Sequence, residues 1–136
     1  MTKILLRVAW GVLAAFLGYM IIAGGTTLTF TVWLKGSFGS SASPSVIALG
    51  TLGAALSGLC GGYIAALLGR QRPLPHAAGV LFFLAIDTTY VLAALPRRNP
   101  LWFDLFGSLV LVATALFGGF LRQRQIRGRP LVPAAL

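Results

Sequence analysis

The chain has 136 residues, of which 57% are hydrophobic and 10% are charged, and its formal net charge is +9 at pH 7. Because an ordinary soluble domain has about 25% charged residues, this composition excludes a soluble globular domain and indicates an integral membrane protein. The basic residues stand at the ends of apolar segments rather than on one face, which argues against nucleic-acid binding.

Four apolar segments are long enough to cross a bilayer, whose ~30 Å hydrocarbon core needs about 20 helical residues. We predict helices over residues 8–34, 45–69, 76–95 and 101–121. All seven prolines fall outside the helix interiors, and Ser43-Pro44 and Asn99-Pro100 each predict an N-cap followed by proline. The sequence therefore predicts an all-α fold, one transmembrane domain of four helices, followed by a basic tail over residues 122–136.

The first helix follows two basic residues, Lys3 and Arg7. A cleaved signal peptide also has a basic start followed by an apolar core. The apolar stretch of 27 residues in the first helix is too long for that core, so we predict a retained helix. A helix of this length must tilt, project or break. Gly24-Gly25, where four of the next six residues are threonine, is the natural place for a bend, but a straight tilted helix is our favoured interpretation.

The second helix carries two adjacent rows of small residues, each with a period of four. One row is Gly50, Ala54, Gly58, Gly62 and Ala66, and the other is Gly53, Ser57, Gly61, Ala65 and Gly69. Such rows let another helix backbone approach closely. Two rows predict contacts on two sides, either both within the chain or one with a partner chain.

The third helix contains Asp87, the single acidic residue within an otherwise apolar run. A charge at the centre of a transmembrane helix costs at least about 2.5–3.5 kcal/mol, so Asp87 is expected to have a partner, a water-filled cavity or a bound proton. His76 lies eleven residues earlier in a similar direction, which makes a water-bridged proton path conceivable. The structural alternative joins Asp87 to hydroxyl groups on neighbouring helices. The candidates for that pairing are Ser57, Thr88, Tyr90 and Ser108.

The remaining polar residues predict no catalytic or metal site. Asp104, near the start of the fourth helix, complements the helix dipole. Cys60 is alone, so it forms no disulfide within the chain. His76, Cys60, Asp87 and Asp104 show no metal-ligand spacing, and no nucleophile stands near a base. We therefore predict that the protein is not an enzyme and takes no cofactor, and we identify no small-molecule substrate.

The distribution of lysine and arginine predicts the orientation. Eight of these residues fall in the N-terminus, the second loop and the tail, against three in the first and third loops. The positive-inside rule then places both termini in the cytoplasm. Trp33 and Trp102 would mark the outer interface and Trp10 the inner one. The basic stretch over residues 122–129 would lie on anionic headgroups or act as a docking peptide.

One stretch resembles a known pattern. The segments Gly61-Gly62-Tyr63-Ile64-Ala65-Ala66, Gly69-Arg70-Gln71-Arg72-Pro73 and His76-Ala77 together resemble a helix hairpin in small uncharacterised bacterial four-helix membrane proteins. In that hairpin a GGY-x-A helix end meets an Arg-Pro turn, and His-Ala opens the next helix. The resemblance implies a protein of the bacterial inner membrane.

The small-residue rows and the lack of catalytic residues favour an accessory or scaffolding subunit of a larger membrane complex. Its expected surroundings are the lipid bilayer and another integral membrane protein, or further copies of itself. The alternative is a homo-oligomeric small transporter or channel that uses Asp87 at the bilayer midplane.

Overall fold

The structure is a computed structural model that describes residues 2–35, 42–69, 73–94 and 101–128. Within these residues it contains helices and no strands, which confirms the predicted all-α bundle. Helix α1 (Thr2–Leu28) continues through a π-helical turn (Thr29–Trp33), and is followed by α2 (Pro44–Leu68), α3 (Pro73–Ala94) and α4 (Leu101–Arg127). Each of the four is long and apolar enough to cross a membrane.

The ends of the helices follow the capping signals where these are described. The Ser43 hydroxyl accepts a hydrogen bond from the Val46 amide at 3.5 Å, and Pro44 opens α2, as predicted. The Asn99-Pro100 cap lies outside the described residues. So do four loop arginines used to predict the orientation, Arg70, Arg72, Arg97 and Arg98, and the end of the tail over residues 129–136.

Helix α4 runs six residues further than predicted, to Arg127, so the predicted tail over residues 122–136 begins as helix. Side chains at this end explain the extension. The Tyr63 hydroxyl on α2 donates to Oε1 of Gln125 at 2.8 Å, and Nη1 of Arg122 donates to the same oxygen at 3.3 Å. The Arg124 guanidinium lies 5.8 Å from the centre of the Phe120 ring. The Tyr63 bond joins the last turns of α4 to the end of α2, and the other two contacts lie within α4.

The helices alternate in direction, so one end of the bundle carries the start of α1 and the end of α4, and the other carries the turn after Trp33. We call these the terminal end and the Trp33 end. The order around the bundle is α1, α2, α4, α3, and α2 also meets α3 across the middle. Helix α2 is the most enclosed, with 39% of its most apolar stretch buried against 17% for each of the others.

The first small-residue row of α2 packs against α4. A Cβ atom on Gly58 would collide with the Thr114 hydroxyl, and one on Gly62 would collide with the Ala115 backbone. Gly118 of α4 lies in turn against the backbone of Leu59. Because the two backbones touch, the row acts as a close-packing surface within the chain.

The second row of α2 packs against α1 and α3. A Cβ atom on Gly61 would lie 2.5 Å from the Gly18 carbonyl oxygen, and one on Gly69 would lie 2.6 Å from Cγ of His76. Ser57 lies against Gly25 of α1. Both rows are therefore used inside the bundle, so neither supplies the partner surface that the sequence left open.

Helix α1 does not break at Gly24-Gly25, which stay α-helical. The following threonines do bond back to the backbone: Thr26 donates to the Ile22 carbonyl at 2.8 Å, and Thr29 donates to the Gly25 carbonyl at 2.8 Å. The irregularity comes later, in the π-helical turn Thr29–Trp33. The long first segment is thus one continuous helix whose last turn is widened.

The tryptophans lie at the two ends of the bundle. Trp33 and Trp102, 72% and 62% exposed, lie at the Trp33 end. Trp10 lies near the terminal end, where its indole N–H donates to the Leu68 carbonyl oxygen at 3.1 Å. That bond satisfies one of the open carbonyl groups at the end of α2.

Candidate functional site

Asp87 lies on the outside of the bundle, within the stretch of α3 that is able to span a membrane. This stretch is Leu74–Ala93, and the Asp87 side chain is exposed. At 1.5 Å per residue, Asp87 is about 9 Å inside the nearer end of the span and about 5 Å from its middle. A carboxylate therefore faces away from the protein interior at a depth where the other side chains of α3 are mostly apolar.

The exposure of Asp87 follows from how α3 is rotated. Its buried stripe is Ala77, Val80 and Leu84. In the next helical turn, either residue 87 or residue 88 could continue this stripe. Thr88 is the one turned toward α4, where its hydroxyl lies 3.2 Å from the Ser108 hydroxyl. Asp87 is left on the side of α3 that borders α1.

The neighbour of Asp87 is Tyr19 of α1, whose hydroxyl donates a hydrogen bond to the carboxylate. Aromatic contacts hold the phenol in place. The Tyr19 ring stacks on Phe83 with centroids 5.8 Å apart, and Phe16 meets Phe83 edge-on at 5.6 Å. Asp87 is thus bonded to the adjacent helix by one polar contact beside an aromatic cluster.

Three of the hydroxyl groups expected to pair with Asp87, those of Ser57, Thr88 and Ser108, make other hydrogen bonds. Ser57 donates to the Gly53 carbonyl at 2.8 Å, and Ser108 donates to the Asp104 carbonyl at 2.9 Å. Tyr90 is 60% exposed. Sequence reasoning missed Tyr19 because the pairing depends on which helix lies beside α3. One signal was available, since Tyr19 carries the only hydroxyl group in residues 8–25.

His76 lies at the other end of the same side of the bundle and does not meet Asp87. Its imidazole packs between α1 and α2, and a Cβ atom on Gly11 would lie 3.4 Å from Nε2. Eleven residues of helix separate it from Asp87 by about 16 Å. The two predicted polar residues therefore share a face of the bundle without contact.

A groove of about 380 Å³ runs between α1 and α3 from His76 toward Phe83. Its lining is almost wholly apolar and includes Val8, Val12, Gly79 and Phe82. Beyond Phe83 the same seam continues to Tyr19 and Asp87. We call the groove together with this pair the α1/α3 face.

The described part of the chain contains no group of three or more His, Cys, Asp or Glu side chains that could hold a metal ion. Cys60 is exposed on α2. Asp104 lies in the first turn of α4, as predicted, where its charge complements the helix dipole.

No family model, curated protein or solved structure matches the chain. The resemblance to the bacterial helix hairpin is therefore still a prediction, and three residues of its turn, 70–72, lie outside the described residues.

Proposed function

We propose that this chain is a non-catalytic accessory subunit of a larger membrane complex and that it binds its partner through the α1/α3 face. The observation that carries the proposal is Asp87, which is exposed within a span and bonded to Tyr19. Left against lipid, a charged carboxylate there costs at least about 2.5–3.5 kcal/mol, and a partner chain that covers it removes that cost.

The packing of α2 supports this choice of surface. Both small-residue rows already contact neighbouring helices within the chain, so a partner must bind elsewhere. The α1/α3 face combines an apolar groove with a polar group, Asp87, within hydrocarbon depth. Polar groups add hydrogen bonds between helices.

The charge distribution supports a place in the bacterial inner membrane with both termini in the cytoplasm. Eight lysines and arginines fall in the N-terminus, the second loop and the tail, against three in the first and third loops. This asymmetry is what the positive-inside rule uses to orient a multi-pass protein.

The test is a native mass measurement of the protein extracted gently from its own membrane, with every co-purifying chain identified. Val12 in the groove and Leu52 on α2 are each 55% exposed, so Val12→Trp and Leu52→Trp form a matched pair. We expect a stoichiometric foreign subunit with the wild type and with Leu52→Trp, and its loss with Val12→Trp. A wild-type chain found alone, or equal retention by both variants, would contradict the proposal.

A second candidate is the homo-oligomeric transporter or channel. The exposure of Asp87 favours this candidate, because copies arranged with their α1/α3 faces inward would line a shared path with carboxylates. It requires a homo-oligomer in the native mass and ion flux in liposomes that Asp87→Asn abolishes. Unchanged flux in that variant would eliminate this candidate.

A further inference from the structure

We infer that the partner of the α1/α3 face is a transmembrane helix that carries a lysine or arginine opposite Asp87. This inference rests on the proposed subunit function and specifies the chemistry of the partner. It predicts a basic side chain about 9 Å inside the end of the partner's span, at the depth of Asp87.

The first argument is that the described part of the chain supplies no cation at this depth. Its basic side chains lie toward the helix ends, at Arg7, Lys35, Arg122, Arg124 and Arg127. Ionisable residues within membranes are almost always paired with one another or with backbone carbonyl groups. A cation from another chain would complete the pair that the described residues leave open.

The second argument is that Asp87 keeps hydrogen-bonding capacity on its outer side. An ionised carboxylate has about four acceptor positions, and the Tyr19 hydroxyl occupies one. The nearby hydroxyls of Thr88 and Ser108 bond to each other. Because Asp87 is exposed, its remaining positions are accessible to a partner that approaches from outside the bundle.

The third argument concerns the choice between a second copy and a foreign chain. A two-fold symmetric dimer places the same patch on both subunits. On the α1/α3 face it would bring one Asp87 toward the other, and two carboxylates repel unless they share a proton. Charge complementarity therefore favours a foreign basic helix.

The groove provides a path for such a helix. Val8, Val12 and Phe82 line it and offer a partner helix an almost wholly apolar surface for van der Waals packing. A helix in this groove would continue past Phe83 to the Tyr19–Asp87 pair. The contact would then combine close packing near the terminal end with an ion pair nearer the Trp33 end.

The inference is tested with synthetic Leu/Ala transmembrane peptides in phosphatidylcholine vesicles, and binding to the full chain is measured by energy transfer. The three peptides differ at a single position, six residues from an end, which is lysine in one, leucine in the second and aspartate in the third. We expect the lysine peptide to bind the wild type about tenfold more tightly than the leucine peptide, as a strong interhelical polar contact allows. The aspartate peptide should not exceed the leucine peptide.

Variants of the two acids supply the controls. Asp87→Asn keeps the side-chain shape and should make the lysine and leucine peptides bind alike, whereas Asp104→Asn should leave the tenfold preference intact. Circular dichroism and elution volume confirm that each variant is folded. Equal binding of lysine and leucine peptides to the wild type would overturn the inference. So would self-association of the chain that Asp87→Asn abolishes, because that result makes a second copy the occupant.

The native mass separates failure of this inference from failure of the proposed function. A wild-type chain that is alone in its membrane overturns the subunit function. A foreign subunit that stays bound to Asp87→Asn, or that lacks a basic residue within its spans, overturns only the inference about its chemistry.

Discussion

Tyr19 on α1 bonds to Asp87 on α3, and its ring stacks on Phe83, one helical turn before Asp87. The same two helices therefore meet through one polar and one aromatic contact at the same place. The aromatic contact fixes the phenol ring, and the ring directs its hydroxyl to the carboxylate. Asp87 is held at the edge of the bundle in a defined position, as a residue that recognises a partner needs to be.

Tyr19→Phe should remove the hydrogen bond to Asp87 and keep the ring stacked on Phe83. We expect a loss of about 1 kcal/mol in the free energy of unfolding, since interhelical hydrogen bonds in bilayers are worth about 0.6–1.7 kcal/mol. Equilibrium unfolding in mixed micelles with increasing sodium dodecyl sulfate measures it. Tyr90→Phe, at a 60% exposed position on α3, is the matched control and should change little. Equal losses in the two variants would mean that the Tyr19 hydroxyl contributes nothing specific.

Gly62→Ala should destabilise the bundle by about 1–3 kcal/mol, because its new methyl group must displace the Ala115 backbone of α4. Gly24→Ala is the control, since a Cβ atom there would have no neighbour within 4 Å. That second change should be neutral or stabilising by up to about 1 kcal/mol, because alanine is the better helix former. The same unfolding assay compares them. A stable Gly62→Ala variant would show that α2 and α4 are further apart than described.

Tyr63→Phe should loosen the last turns of α4 by removing the hydrogen bond to Gln125. A bond worth about 1 kcal/mol corresponds to roughly a fivefold change in local opening. We expect trypsin to cut after Arg122 and Arg124 about fivefold faster in this variant, as followed by mass spectrometry. Tyr90→Phe again provides the comparison and should be cut at the wild-type rate. If Tyr63→Phe is cleaved at the same rate as the wild type, the extension of α4 does not depend on this bond.

The orientation predicted from the basic residues has a direct test in spheroplasts, whose outer membrane face is the one open to a reagent in solution. In a Cys60→Ala background, Ser45→Cys reports the Trp33 end and Gly128→Cys reports the terminal end, and both positions are exposed. In spheroplasts a membrane-impermeant maleimide should label Ser45→Cys and leave Gly128→Cys unlabelled until the cells are lysed. The reverse pattern would place the termini outside.

The number and class of the helices were predictable because they depend on local properties. Apolar length and the positions of proline indicate where spans start and end, and Pro44 opens α2 as that argument requires. The start of α3 was predicted three residues late: the helix begins at Pro73 and holds Pro75 in its first turn, where proline is tolerated. The end of α4 was not predictable in this way. Residues 122–127 are polar enough to leave the apolar span, and one of them, Gln125, is bonded to Tyr63, which is distant in sequence.

The candidate site was only half predictable. A carboxylate within an apolar run identifies Asp87 from the sequence alone, because its burial cost depends on depth. Its partner Tyr19 could not be chosen over Ser57 or Ser108, since that choice needs the order of helices around the bundle. The favoured interpretation of an unbroken first helix agrees with the structure: Gly24-Gly25 stay α-helical, and Gly25 contacts Ser57 within a regular helix.

The glycines of α2 also have a consequence at the level of the gene. Every change of the first or second base in a glycine codon gives a residue with at least a Cβ atom, or a stop. At Gly58, Gly61 and Gly62 that atom meets a neighbouring helix, so most single-base changes there are expected to damage the fold. Exposed positions such as Leu52 escape this constraint. Across populations or mutagenised libraries, loss-of-function changes should therefore concentrate in the middle of the second helix, at residues that carry no polar group.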